Sequence, residues 1–237
     1  MLYTEEAVRA GLRVRDGRRV FYLPEGSRLT PAARDWLRQE GVTVVPHAET
    51  PPAAYRTPDG AAFAEKPEHM THLRGNILVP KTHPRIAFRG GIDTLEAELL
   101  LCAQAADGPL RQTLCAMLDF VRSLIRADVL DEPVQAVRFL GLDDDGLREH
   151  SHHPEREEGQ PHFLPAPDDP PILLRLNLLR TAVRHTELLA CHAFSRPDGT
   201  LARPDLVKAL NRLSSLCWIL MIREKKNAQG KAASRAL

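Results

Sequence analysis

Three stretches of the chain hold side chains whose types and spacing could do chemistry. The first is basic. Lys81, Arg85 and Arg89 are interleaved with Pro80 and Pro84 and followed by Gly90 and Gly91. Cations ahead of a helix N-terminus suit an anion, a phosphate-bearing ligand above all; a solvated basic loop has the same composition. The second stretch spaces Asn177, Arg180, Arg184 and Glu187 by three, four and three residues, so all four share one side of a helix. That stripe reads either as the polar lining of a site or as an ion-pair ladder on the surface. The third gathers Glu149, His150, His152, His153 and His162, imidazoles and a carboxylate able to ligate a metal. Their spacing is not that of a closed zinc site, and a polar, proline-rich lid or connection is the alternative.

The elements that must position these groups are mostly helical. Prolines disfavour helical geometry just before them, and Gly90 and Gly91 allow a close approach or a sharp turn. A helix is therefore expected from Ile92, where Ile92, Leu95, Leu99, Cys102 and Ala106 recur every three or four positions. Leu114, Met117, Val121, Leu124 and Val129 mark a second helix over 110–130, broken at Asp131-Glu-Pro133. A shorter helix is expected over Val134 to Leu142. Ile172, Leu176, Leu179, Val183 and Ala190 form the apolar face of a helix from Pro171 to about Phe194. A last helix starts near Pro204 and buries Leu206, Leu210, Leu213, Cys217 and Leu220. Four or five such helices specify a mainly α bundle. Residues 1–45 read as a small α/β unit, with Thr30 and Pro31 opening a helix that Gly41 stops. Residues 46–70 read as a Pro/Ala-rich linker, 71–223 as the bundle, and the basic tail 224–237 as disordered.

Composition narrows the function. With 32 basic and 31 acidic residues the net charge is +1, which argues against a dedicated nucleic-acid binder. No apolar run approaches the roughly 20 residues of a membrane span, and the acidic start lacks the regions of a signal peptide. A cytoplasmic protein is expected. Cys102, Cys115, Cys191 and Cys217 form no Cys-x-x-Cys pair and sit in apolar helical patterns, so core packing is their expected role.

Three segments resemble one family. Val79-Pro-Lys-Thr-His-Pro-Arg-Ile through Gly91-Ile-Asp-Thr-Leu95 resembles the Pro-Lys-x-x-Pro-Arg-Ile signature of ATP:corrinoid adenosyltransferases. Leu178-Leu-Arg-Thr-Ala-Val-Arg-His-Thr-Glu187 resembles their Ala-Arg-Thr-x-x-Arg-Arg-Ala-Glu segment, with His185 in place of the second arginine of the pair. Leu210-Asn-Arg-Leu-Ser-Ser215 resembles Leu-Asn-Arg-Leu-Ser-Asp, with Ser215 in place of the aspartate. Thr71 to Asn76 and Arg89 to Ala97 are more similar to the ethanolamine-utilisation branch than to the PduO type. Some members of that branch carry a metal-binding His and Cys cluster ahead of the signature. Pro46 to Pro67 here contains no cysteine, so that metal dependence is not expected.

The resemblance implies transfer of the 5′-deoxyadenosyl group of ATP to reduced cobalamin, with Mg²⁺ sharing the triphosphate. It implies Lys81, Arg184, His185, Glu187 and Asn211 as ATP-binding residues. It also implies a catalytic pair, Asp93 and Arg180, that meets across a subunit contact in a homo-oligomer, a trimer favoured. Phe163, in Phe163-Leu-Pro165, resembles the phenylalanine that presses on the corrin's lower face, and a buried loop anchor is the other reading. The Thr-x-x-Gly-Asp-x-Gly phosphate loop of PduO-type enzymes has no match, so Thr71 to Lys81 is the expected substitute. A corrinoid reductase or a microcompartment component is the expected protein partner. A non-enzymatic corrinoid chaperone or adaptor on the same bundle is the competing class, and a metal-dependent hydrolase built on the histidines a third.

Overall fold

The computed structural model describes residues 2–15, 18–24, 26–45 and 55–235, and the chain divides into two compact units, Met1–Pro67 and Glu68–Leu237. The first unit runs β1 (Leu2–Tyr3), α1 (Glu5–Ala10), β2 (Arg13–Arg15), β3 (Arg18–Tyr22), β4 (Arg28–Leu29), α2 (Pro31–Gln39), β5 (Thr43–Val45), β6 (Tyr55–Arg56) and β7 (Ala62–Phe63). Thr4 and Thr30 start its helices by accepting the amide protons of Ala7 and Ala33 at 3.3 and 3.2 Å. β1 pairs parallel with β4, while β3 pairs antiparallel with β2 and parallel with β5, placing Val20 opposite Thr43. Val8, Phe21, Ala33, Leu37 and Val42 make a small core of their own. Part of the expected linker, residues 46–54, lies outside the described residues. Beyond it, β6 and β7 form a short antiparallel hairpin where no regular structure was expected.

The second unit runs β8 (Met70–Arg74), β9 (Ile77–Pro80), α3 (Pro84–Gln104), α4 (Gly108–Leu130), α5 (Asp144–His152), α6 (Pro154–Glu158), α7 (Pro171–Phe194) and α8 (Pro204–Arg235). β8 and β9 are an antiparallel hairpin leading into α3. Phe88 near the start of α3 meets Phe194 at the end of α7, with ring centroids 5.5 Å apart. Glu187 and Arg180 of α7 meet Asn211 and Trp218 of α8 in that order. Both helix pairs therefore run antiparallel. Their apolar stripes join α4 and α5 in one core that includes Ile92, Leu95, Leu99, Leu124, Leu147, Leu176, Val183, Leu213 and Cys217. Gly91 sits inside α3, where a Cβ would lie 2.7 Å from Leu189 Cδ1. The close approach lets Thr186 Oγ1 donate to the Gly91 carbonyl at 3.1 Å.

Four expectations are corrected here. The helix expected from Ile92 begins at Pro84, so the two glycines are helical rather than a turn. Residues 134–142 are not a helix. Pro133 removes a backbone donor, Asp205 takes the Val134 amide at 3.2 Å, and Leu140 and Gly141 turn through positive φ. The histidine-rich stretch is ordered as α5 and α6, joined by His150 Nδ1 to Glu158 Oε1 at 2.8 Å. The tail continues α8 to Arg235. Two of its cations have partners, Lys225 on Asp169 and Lys226 on the Glu158 carbonyl, just after Arg223, which binds Glu158 twice.

Candidate functional site

The basic stretch folds differently from an open anion cradle. Arg85 and Arg89 lie in the first turns of α3 and converge on Asp128 of α4, whose side chain is fully buried. Arg85 Nε and Arg89 Nε reach it at 3.0 and 2.7 Å, and Arg89 also donates to the carbonyls of His72 and Leu73. The cluster thus ties the β8–β9 hairpin to two helices. His83 caps α3 by accepting the Arg85 amide proton on Nδ1 at 3.1 Å. Burial first, then Arg85 and Arg89, hold its pKa below the usual imidazole value. Of the three cations only Lys81 stays at the surface, 2.8 Å from Glu68.

The stripe on α7 meets α8. Glu187 Oε1 accepts from Asn211 Nδ2 at 2.9 Å, and Asn211 Oδ1 accepts from Arg212 at 2.7 Å. Two turns earlier on α7, about 10 Å along the axis, the Arg180 guanidinium lies 5.4 Å from the centre of the Trp218 ring. Its Nε is buried without a hydrogen-bond partner, and burial, then Arg184, lower its pKa. Asn177 Oδ1, one turn below, is likewise buried and unpartnered. Arg184 and His185, which lie between Arg180 and Glu187 in the helix, are exposed.

Beside Arg180 lies a depression of about 320 Å³ lined by His162, Phe163, Leu164, Pro165, Arg180 and Trp218. Trp218 organises it. Phe163 stacks on its indole with centroids 5.2 Å apart, and His162 stacks at 5.7 Å while accepting the indole N–H on Nδ1 at 3.2 Å. Leu164 is 89% exposed at the rim. A flat apolar wall next to unpaired guanidinium groups can hold an anion and a planar ring system side by side.

The structure brings Arg180, Arg184, Glu187 and Asn211 onto one face, with Phe163 reached through Trp218, whereas His185 is exposed about 100° around α7 from Arg184. It does not bring in Lys81 or Asp93. Lys81 sits at the end of the hairpin, and Asp93 is exposed on α3; among the described residues neither bonds to this face. The pair expected between Asp93 and Arg180 is absent within the chain. Sequence reasoning missed Trp218 and Arg212. Their signal was Asn211 itself, since Trp218 follows it by two turns and Arg212 is its neighbour. Ser215, the departure from the resembled motif, takes a hydrogen bond from Ser151 of α5 at 3.0 Å. Among the described residues no three His, Cys, Asp or Glu side chains are grouped to hold a metal. His150 and Glu149 are engaged by Glu158 and Arg156 instead.

The family model described as cobalamin adenosyltransferase matches residues 62–224, which include every residue of this face. The chain belongs to the cobalamin adenosyltransferase family. The corrinoid adenosyltransferase EutT of Salmonella typhimurium is 31% identical over 242 residues, covering 92% of this chain and 90% of that protein. EutT of Escherichia coli is 32% identical over 243 residues with the same coverage. Among solved structures, a PduO-type ATP:corrinoid adenosyltransferase variant from Lactobacillus reuteri complexed with cobalamin and ATP shares the fold. It has a TM-score of 0.53 and 17% identity, covering 68% of this chain and 91% of that one. A second variant from Lactobacillus reuteri, complexed with ATP, aligns with a TM-score of 0.54 and 16% identity, covering 68% of this chain and 92% of that one.

Proposed function

We propose that this cobalamin adenosyltransferase moves the 5′-deoxyadenosyl group of ATP to the cobalt of reduced cob(I)alamin, and that the α7–α8 face is where the substrates meet. The observation that supports it is the exposed Arg184 beside Arg180, whose buried Nε has no partner, next to the Glu187–Asn211 bond and the Trp218–Phe163 wall. In the reaction the cobalt(I) electron pair forms the bond to ribose C5′. The C5′–O bond breaks, its electrons leave with triphosphate, and cobalt ends as cobalt(III). Negative charge grows on the departing oxygen, so fixed cations there lower the barrier. Arg184, and Lys81 once it releases its exposed partner Glu68, are suited to the polyphosphate. Asn211 is suited to the nucleotide, because an amide both donates and accepts. Phe163, braced by Trp218, is suited to cover one face of the corrin and exclude water and axial ligands. A magnesium ion would be held by ATP's own oxygens, Glu187 being the carboxylate of the face.

The proposal extends to a homo-oligomer, trimer favoured. Arg180 has no carboxylate partner among the described residues and Asp93 is exposed, so a second copy can bring them together. Among the described residues no helix is long and apolar enough to cross a membrane, and a cytoplasmic site of action beside a corrinoid reductase or a microcompartment component is proposed. Anaerobic incubation with reduced cobalamin and MgATP tests the reading through the corrin spectrum. Adenosylcobalamin formation supports it; corrinoid binding without turnover overturns it in favour of an adaptor.

A further inference from the structure

Among the described residues, two guanidinium groups carry a buried Nε with no hydrogen-bond partner, Arg180 and Arg212. Arg180 lies against Trp218, whereas Arg212 touches the α7–α8 face only through Asn211. It sits on α8, only 8% exposed, and makes one side-chain hydrogen bond, to the Asn211 carbonyl oxygen. The chain treats its other shielded arginines differently. Arg85 and Arg89 share Asp128. Arg203 binds Asp205 and two backbone carbonyls, and Arg223 binds Glu158. Arg212 is not ion-paired to any carboxylate of the described residues. Arginine keeps its charge in proteins, and a buried charge without a counter-charge works against folding. A position that tolerates this cost is explained by an anion that arrives as ligand.

We propose that Arg212 is a polyphosphate-binding residue of the nucleotide site. Asn211 links it to Glu187, so the line Arg212–Asn211–Glu187 crosses from α8 to the polar stripe of α7. The planar fork of its guanidinium matches two phosphate oxygens at once. It binds the triphosphate of ATP and retains it as charge develops when the C5′–O bond breaks. The inference rests on the adenosyltransferase reading above and adds a residue to that site.

Inorganic tripolyphosphate, the leaving group itself, is the probe, added to the full-length wild type and to Arg212→Met and Arg212→Lys. A ligand bound only by the folded protein raises the unfolding temperature, so affinity and fold are read in one experiment. Arg212→Met removes an uncompensated charge, and without ligand it should unfold at the wild-type temperature or above. Its affinity for tripolyphosphate should fall about tenfold to a hundredfold, the range for a lost charged hydrogen bond. Arg212→Lys keeps the charge but not the fork and should bind about tenfold more weakly than wild type. If wild type binds and either variant binds equally well, Arg212 is a packing strut and the inference falls while the adenosyltransferase reading stands. If wild type itself does not bind tripolyphosphate, that reading fails and takes the inference with it.

Discussion

Replacing Asp128 with asparagine should damage the second unit out of proportion to the size of the change. The Asp128 side chain is fully buried, and Arg85 and Arg89 are 21% and 16% exposed. Asparagine keeps the shape but leaves two guanidinium groups facing an amide, each still charged. Removing one partner of a buried pair costs about 3–5 kcal/mol. Because both arginines retain some water, the lower end, about 3 kcal/mol, is the appropriate expectation. In a unit of this size each kcal/mol moves the midpoint by about 2–4 °C, so the loss should be about 6–12 °C. The helical circular dichroism signal measures this on heating. Glu132→Gln is the control: it breaks the exposed Arg126–Glu132 pair, whose side chains are 69% and 44% exposed, and should leave the midpoint in place. Hydrogen exchange should also rise in β8 and β9, because Arg89 holds the carbonyls of His72 and Leu73. A midpoint shift below about 2 °C for Asp128→Asn would refute the claim that this cluster joins the hairpin to the bundle.

Other perturbations read different parts of the structure. Gly91→Val should cost about 1–3 kcal/mol by forcing Leu189 and Thr186 aside, whereas Gly90→Ala, whose Cβ meets open space, should gain up to about 1 kcal/mol; urea titration compares the two. His83 has its pKa lowered in the folded protein, so the stability it contributes is full above 6.5, its ordinary value, and is lost as pH falls through the folded value. Protonation also removes its capping lone pair. His83→Ala should therefore cost about 1 kcal/mol at alkaline pH and flatten the loss on acidification, which stability measured against pH will show. Lys81→Ala should raise the KM for ATP about tenfold, since its exposed pair with Glu68 is weak and easily exchanged for phosphate; an unchanged KM argues that the hairpin does not serve the nucleotide.

The helices were legible because their signal is local. The three- and four-residue recurrence of Leu114, Met117, Val121 and Leu124, or of Leu206, Leu210, Leu213 and Cys217, needs no knowledge of distant residues. What was misread depended on partners far along the chain. Arg85 and Arg89 look like phosphate ligands until Asp128 appears, 43 and 39 residues later. The tail looked disordered because Asp169 and Glu158, which hold its cations, lie in another segment. Residues 134–142 have a helical composition, yet Leu140 and Gly141 take positive φ in a turn that pairs Phe139 with Leu142. Of the site, the α7 stripe was visible because its members belong to one helix. Trp218 was hidden because its meaning comes from Phe163 and Arg180 across a packing interface, and Arg212 because no local signal says that its burial leaves it without a carboxylate. Lys81 and Asp93 remain away from the rest within one chain, because a single sequence does not say which of its residues meet between copies.

The central proposal is that Arg180, beside the Trp218–Phe163 wall, belongs to the place where the substrates meet. The most direct test is kcat for adenosylcobalamin formation by Arg180→Met under anaerobic conditions, with reduced cobalamin and MgATP saturating. Within one chain Arg180 makes no hydrogen bond among the described residues, so the fold of each copy should survive, which the helical circular dichroism signal checks. The account predicts a fall in kcat of about a hundredfold or more, the scale for one lost electrostatic contact in a transition state; a well-folded variant that turns over at the wild-type rate would contradict it.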